Sequence, residues 1–112
     1  MRVDRTRKII EKRFGGEGHL ISDSILTQEQ MSGGCRMYSE ITLKAGCSLG
    51  VHTHNGESET YFILSGTGLY NDNGIEYEVS SGDVLFCDST ESHALKNIGE
   101  AELRFVALIL EK

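Results

Sequence analysis

The chain has 112 residues, 38% hydrophobic and 25% charged, with a net charge of −6, thirteen glycines and no proline. That length is one domain by the usual prior, and the composition is that of an ordinary globular protein. No segment approaches the roughly 20 apolar residues needed to span a bilayer, so no membrane partner is expected. The charge is uneven. Residues 1–13 hold six basic side chains (Arg2, Arg5, Arg7, Lys8, Lys12, Arg13) against Asp4 and Glu11, so the remainder is strongly acidic. An acidic body argues against nucleic acid as a partner, and the basic arm reads first as a solvated terminus.

In chain order, residues 1–13 are polar, with Val3, Ile9 and Ile10 as their apolar positions, and fit either a helical turn or an edge strand. Phe14 to His19 is a glycine loop. Leu20 to Leu26 reads as a strand, Thr27 to Gln30 as a polar connection, and Ser32-Gly33-Gly34 as a turn. From Cys35 the period-two alternation becomes clear: Met37, Ser39, Ile41 and Leu43 share one face, and Arg36, Tyr38, Glu40 and Thr42 the other. Asn71-Asp72-Asn73-Gly74 marks a hairpin between Leu69-Tyr70 and Ile75 to Val79. Short strands over Asp83 to Cys87 and His93 to Asn97 follow. Leu103 to Leu110 is nearly all apolar and is expected to be central. Turns recur every eight to twelve residues, which predicts an all-β, antiparallel sandwich or barrel in which 1–34 supply an arm and first strands and 35–112 the barrel.

The densest chemistry lies between Gly46 and Gly66, GCSLGVHTHNGESETYFILSG. His52 and His54 are two apart in a strand, so their side chains point the same way. Asn55-Gly56 predicts a hairpin turn into the next strand, where Glu59 shares a face with Tyr61 and Ile63. Two imidazoles and a carboxylate around one point form a transition-metal site lacking a fourth ligand. Glu57 has the same parity and competes with Glu59.

These residues resemble a known pattern. Gly46, His52, His54, Glu59 and Gly66 stand at the spacing of the first motif of the cupins. Gly82, Asp88, Thr90, His93 and Asn97 resemble the second motif, with Asp88 in place of the usual proline and Thr90 in place of the usual glycine. The resemblance implies a small jelly-roll barrel, a double-stranded β-helix, with His52, His54, Glu59 and His93 as metal ligands. The spacing to Gly66 favours Glu59 over Glu57. Three imidazoles and a carboxylate suit Fe²⁺, Mn²⁺, Ni²⁺, Zn²⁺ or Cu²⁺, and four protein ligands on an octahedral ion leave room for a small molecule.

Other side chains have plainer readings: His19 as a solvated loop residue, Cys87 as a small core hydrophobe, Tyr38, Tyr61, Tyr70 and Tyr77 as cross-strand packing, Asn97 as a backbone tether. Cys35, Cys47 and Cys87 cannot all pair within one chain, and no leader is recognised, so a cytoplasmic protein with reduced thiols is expected. The functional expectation is a metal-binding cupin with an open mononuclear site and a small-molecule ligand or substrate. An oxygenase-like reaction is favoured over isomerase chemistry, and a non-catalytic binding or sensing module is the alternative. No catalytic residue beyond the ligands can be picked. Exposed sheet edges predict a homodimer.

Overall fold

A computed structural model describes all residues 1–112. Ten strands form two antiparallel sheets. They are β1 (Arg7–Glu11), β2 (His19–Ser24), β3 (Cys35–Leu43), β4 (Ser48–Thr53), β5 (Glu57–Ser65), β6 (Thr67–Asp72), β7 (Ile75–Ser80), β8 (Val84–Cys87), β9 (Ser92–Asn97) and β10 (Leu103–Glu111). One sheet has the order β1-β2-β3-β10-β5-β8, and the other β4-β9-β6-β7. This is an all-β jelly roll, as the resemblance implied.

The strand β10 lies between β3 and β5, where its apolar run can be covered. Leu103, Phe105, Ala107 and Ile109 alternate inward and are buried. Leu103, Phe105 and Ala107, with Leu43, Ile63, Tyr61, Tyr70 and Leu95, fill the space between the sheets. At about 25 cal/mol per Å² of apolar surface, this inner layer is the main favourable term for folding.

The first 34 residues belong to the larger sheet. β1 pairs with β2 as its edge, from Arg7↔Asp23 to Glu11↔His19, and β2 pairs with β3. Of the two readings of residues 1–13, the edge strand is the one adopted. Gln28–Met31 form a one-turn helix where the sequence promised only a polar connection. Its capping box has Gln30 N–H donating to Thr27 Oγ1 and Thr27 N–H to Gln30 Oε1.

The expected histidine hairpin does not form. β4 pairs with β9, while β5 pairs with β10 and β8. The Asn55-Gly56 turn thus carries the chain from one sheet to the other. Apolar residues on both strands pack inward from opposite sheets, which a flat two-stranded ribbon would leave half exposed.

Candidate metal centre

The sheet crossing builds the site. His52 and His54 come from β4 and the turn after it, Glu59 from β5 of the opposite sheet, and His93 from β9, directly across from His52 in the β4–β9 register. One donor atom from each lies within 4.8 Å of the other three. Glu59 Oε1 is 3.0 Å from His54 Nε2, 3.0 Å from His93 Nε2 and 3.6 Å from His52 Nε2. Glu59, His54 and His93 are buried.

The outer hydrogen bonds fix how the rings face. A backbone carbonyl can only accept, so His52 Nδ1–H donates to Gly50 O, at 2.8 Å. His54 Nδ1–H donates to the Glu57 carboxylate at 2.9 Å, and Glu57 in turn accepts two bonds from the Arg36 guanidinium, at 2.7 and 2.8 Å. The neutral rings of His52 and His54 therefore aim bare Nε2 lone pairs at the Glu59 carboxylate. Such a cluster is repulsive until a cation, a proton or a metal, enters it. The third ring has an adaptable partner: His93 Nδ1 and the Tyr70 hydroxyl are 2.8 Å apart, and a hydroxyl can donate or accept. The donor set and its outer shell thus fit a divalent transition ion.

The electrostatics agree. Burial pushes the Glu59 carboxyl up, but hydrogen bonds with His52, His54 and His93 outweigh it and hold the group well below the usual carboxylate range. The Glu59 hydrogen bond, joined by Glu57, raises His54 against the opposing effect of burial. Burial lowers His93 despite the bond to Glu59. Tyr61, stacked on His93 with ring centroids 4.9 Å apart, is raised well above the tyrosine range by burial and by the Glu59 charge.

Four neighbours of the site are not readable in the motif itself. Glu57 serves as the outer partner of His54. Arg36 clamps Glu57, and Tyr70 meets His93. The fourth is Phe14, whose ring stacks on His52 at 4.0 Å between centroids and 16° between planes. A glycine permits that stack: a Cβ on Gly50 would stand 2.0 Å from the Phe14 carbonyl oxygen. Only the glycine-rich 14–18 segment hinted at a close approach. Cys87 is buried, and burial lifts its thiol to about 11, so it stays an inert filler. Asn97 is a tether, donating to Leu43 O and Ala101 O. Thr90 takes the place of the family's usual glycine at φ 76, and its N–H donates to His54 O, which anchors the second-motif loop to the first.

The cluster opens into a cavity of about 390 Å³. Its wall mixes apolar residues, including Leu20, Ile41, Leu49, Phe105 and Ile109, with polar ones such as Ser22, Ser39 and Gln28, and Glu59 is its one carboxylate.

Comparison with known proteins agrees with this geometry. The family described as Cupin domain matches residues 39–109. An oxalate-binding protein from Thermotoga maritima is 39% identical over 112 residues, covering 96% of this chain and 93% of that protein. The crystal structure of a predicted oxalate decarboxylase from Thermotoga maritima superposes with a TM-score of 0.93 at 37% identity, over 100% of this chain and 97% of that one. The cupin domain of Cnp3 from Schizosaccharomyces pombe shares the fold alone, with a TM-score of 0.75 at 12% identity over 98% of this chain and 89% of that one. Strand order, clustered motif residues and matched sequence together make this chain a member of the cupin family.

Proposed function

We propose that the protein binds a divalent transition ion through His52, His54, Glu59 and His93 and uses it to hold a small carboxylate of the oxalate type. The observation that carries this reading is the convergence of three imidazole nitrogens and one carboxylate oxygen at the inner end of a cavity. When bound, the ion supplies a Lewis-acidic centre with coordination positions left over for a chelating anion. The chain's own residues do the rest. Gly50 O, Glu57 and Tyr70 hold the three rings in ligating orientation, Glu59 offsets part of the positive charge, and the apolar wall limits access of water.

The binding reading is favoured over the oxygenase-like one by the cavity lining. Beyond the ligands, the ionisable hydroxyls beside the centre are those of Tyr61 and Tyr70, and burial holds both protonated. No carboxylate other than Glu59 lines the cavity to serve as a base. The resemblance to a protein called oxalate-binding points the same way. The test is calorimetry of the Mn²⁺-loaded protein with oxalate, run beside assays for oxygen uptake, formate and carbon dioxide. Metal-dependent binding without turnover is expected. Oxygen uptake or formate release at catalytic rates would replace the reading with an enzyme.

We also read the chain as a homodimer. Phe62, Val84, Phe86 and Leu110 are exposed together on the outer face of β5, β8 and β10, a continuous apolar patch that a second copy would cover. Three unpaired cysteines favour a reducing, cytoplasmic setting. No helix is long and apolar enough to cross a membrane.

A further inference from the structure

The cavity is larger than a bare chelating anion needs, and its outer wall carries charge of one sign. β1 turns a lysine as well as an isoleucine toward the cavity. Ile9, with 62% exposure, faces away from the cavity, while Thr6, Lys8 and Ile10 line it. An edge strand built only for packing would place an apolar side chain, not Lys8, beside Ile10 on that inner face. Arg13 also lines the cavity, with its guanidinium carbon 4.4 Å from the centroid of Phe14, the ring that stacks on His52. The arginines nearby are committed: Arg5 and Arg104 to Glu40, Arg7 to Asp23, Arg36 to Glu57. Lys8 and Arg13 form no ion pair with any carboxylate in the chain. The same cavity is lined by apolar residues that include Leu20, Leu49 and Ile10, beside polar ones such as Ser22 and Ser39.

From this arrangement we propose that the cavity is built for a dicarboxylate longer than oxalate, with one carboxylate at the metal cluster and the other paired with Lys8 and Arg13. The inference rests on the metal-dependent carboxylate binding proposed above and adds a second anionic subsite to it. The apolar lining residues, Leu20 and Leu49 among them, accommodate the methylene spacer. The two cations have no competing acid, and their partly exposed position keeps them hydrated until the ligand arrives, so the pairing does not require burying a lone charge. The subsite comes from residues 8 and 13, outside the 39–109 segment matched by the family. The shared barrel would thus hold the ion while the N-terminal segment sets the length and charge of the ligand.

The experiment is calorimetry on the full-length, Mn²⁺-loaded protein with a homologous series: oxalate, malonate, succinate, glutarate and adipate, each longer diacid beside the monocarboxylate of equal chain length. Affinity should peak at a diacid beyond oxalate, and that diacid should bind at least roughly ten-fold better than its monoacid, the scale of one charge-assisted contact. In Lys8→Met with Arg13→Gln the diacid-to-monoacid ratio should fall to near one. Both positions are exposed, so metal content and the thermal midpoint serve as controls for folding. A charge-reversing Lys8→Glu should invert the preference toward the monoacid. Tightest binding by oxalate, or a ratio unchanged in the variants, overturns the subsite and leaves the metal-site reading standing. Failure of every carboxylate, oxalate included, to bind the metal-loaded protein overturns the functional reading itself.

Discussion

The outer partner of His54 offers the most discriminating prediction. Glu57 Oε1 accepts the Nδ1 proton of His54 at 2.9 Å, and only that bond turns the His54 lone pair toward the cluster. Removing the carboxylate in Glu57→Ala frees the ring and its tautomer. Losses of this kind cost about 10- to 100-fold in metal affinity. At a free metal concentration about 100 times the wild-type dissociation constant, the ion stabilises the fold by about 2.7 kcal/mol; in the variant this falls to between about 1.4 and 0.4 kcal/mol. For a domain of this size, at roughly 4 °C per kcal/mol, the metal-induced rise in Tm shrinks by about 5 to 9 °C. The apo protein should lose at most about 1 kcal/mol from the pair with Arg36, which has 52% side-chain exposure, and about 1 to 3 kcal/mol from the buried His54 Nδ1–H left without an acceptor, so the readout is the metal-induced shift and not the apo Tm. Glu57→Gln keeps an acceptor oxygen and should lie between wild type and Glu57→Ala. The assay is metal titration in a chelator-buffered solution, with thermal unfolding of apo and loaded protein in parallel. If Glu57→Ala binds metal as wild type does while His54→Ala does not, the orienting role is refuted.

Four further outcomes follow from the same geometry. Metal binding must displace the proton that the raised His54 favours, so affinity should drop as pH falls through that raised value; in the apo protein the His54 contribution runs the other way, full below its ordinary 6.5 and lost as pH rises past the raised value, so the metal-induced Tm shift should grow from acid to neutral pH. Gly50→Ala drives a Cβ into the Phe14 carbonyl and should displace the turn that stacks Phe14 on His52, costing about 1 to 3 kcal/mol in chemical denaturation; a fully stable variant would show that the turn is not docked as described. Phe105→Ala, at a residue with no exposure in the centre of β10, should cost about 3 to 5 kcal/mol in the same assay. Phe86→Glu, in the middle of the outer apolar patch, should convert a dimer into a monomer in light scattering, and an unchanged mass would place the interface elsewhere.

The sequence by itself determined the features that repeat every two residues. Alternation assigned the inner face of β3, the apolar run from Leu103 marked the central strand, and the two motif spacings singled out His52, His54, Glu59 and His93, which the structure brings together. Each of those signals is local: a strand's pleat fixes which neighbours share a face, whatever lies beyond it. Tertiary structure alone decided the rest. The Asn-Gly turn after His54 looks like a hairpin over a short window, but β4 and β5 part into different sheets because burial on two opposed faces outweighs pairing with the next strand in sequence. Glu57 and Glu59 have the same parity; motif spacing favoured Glu59 as the ligand, but the use of Glu57 as the outer partner of His54, gripped by Arg36, is visible only in the folded chain. The placing of Lys8 over the cavity depends on its pairing with Ser22, and that of Phe14 on contacts with Gly50 and His52 more than thirty residues on, and local periodicity carries no information about either pairing.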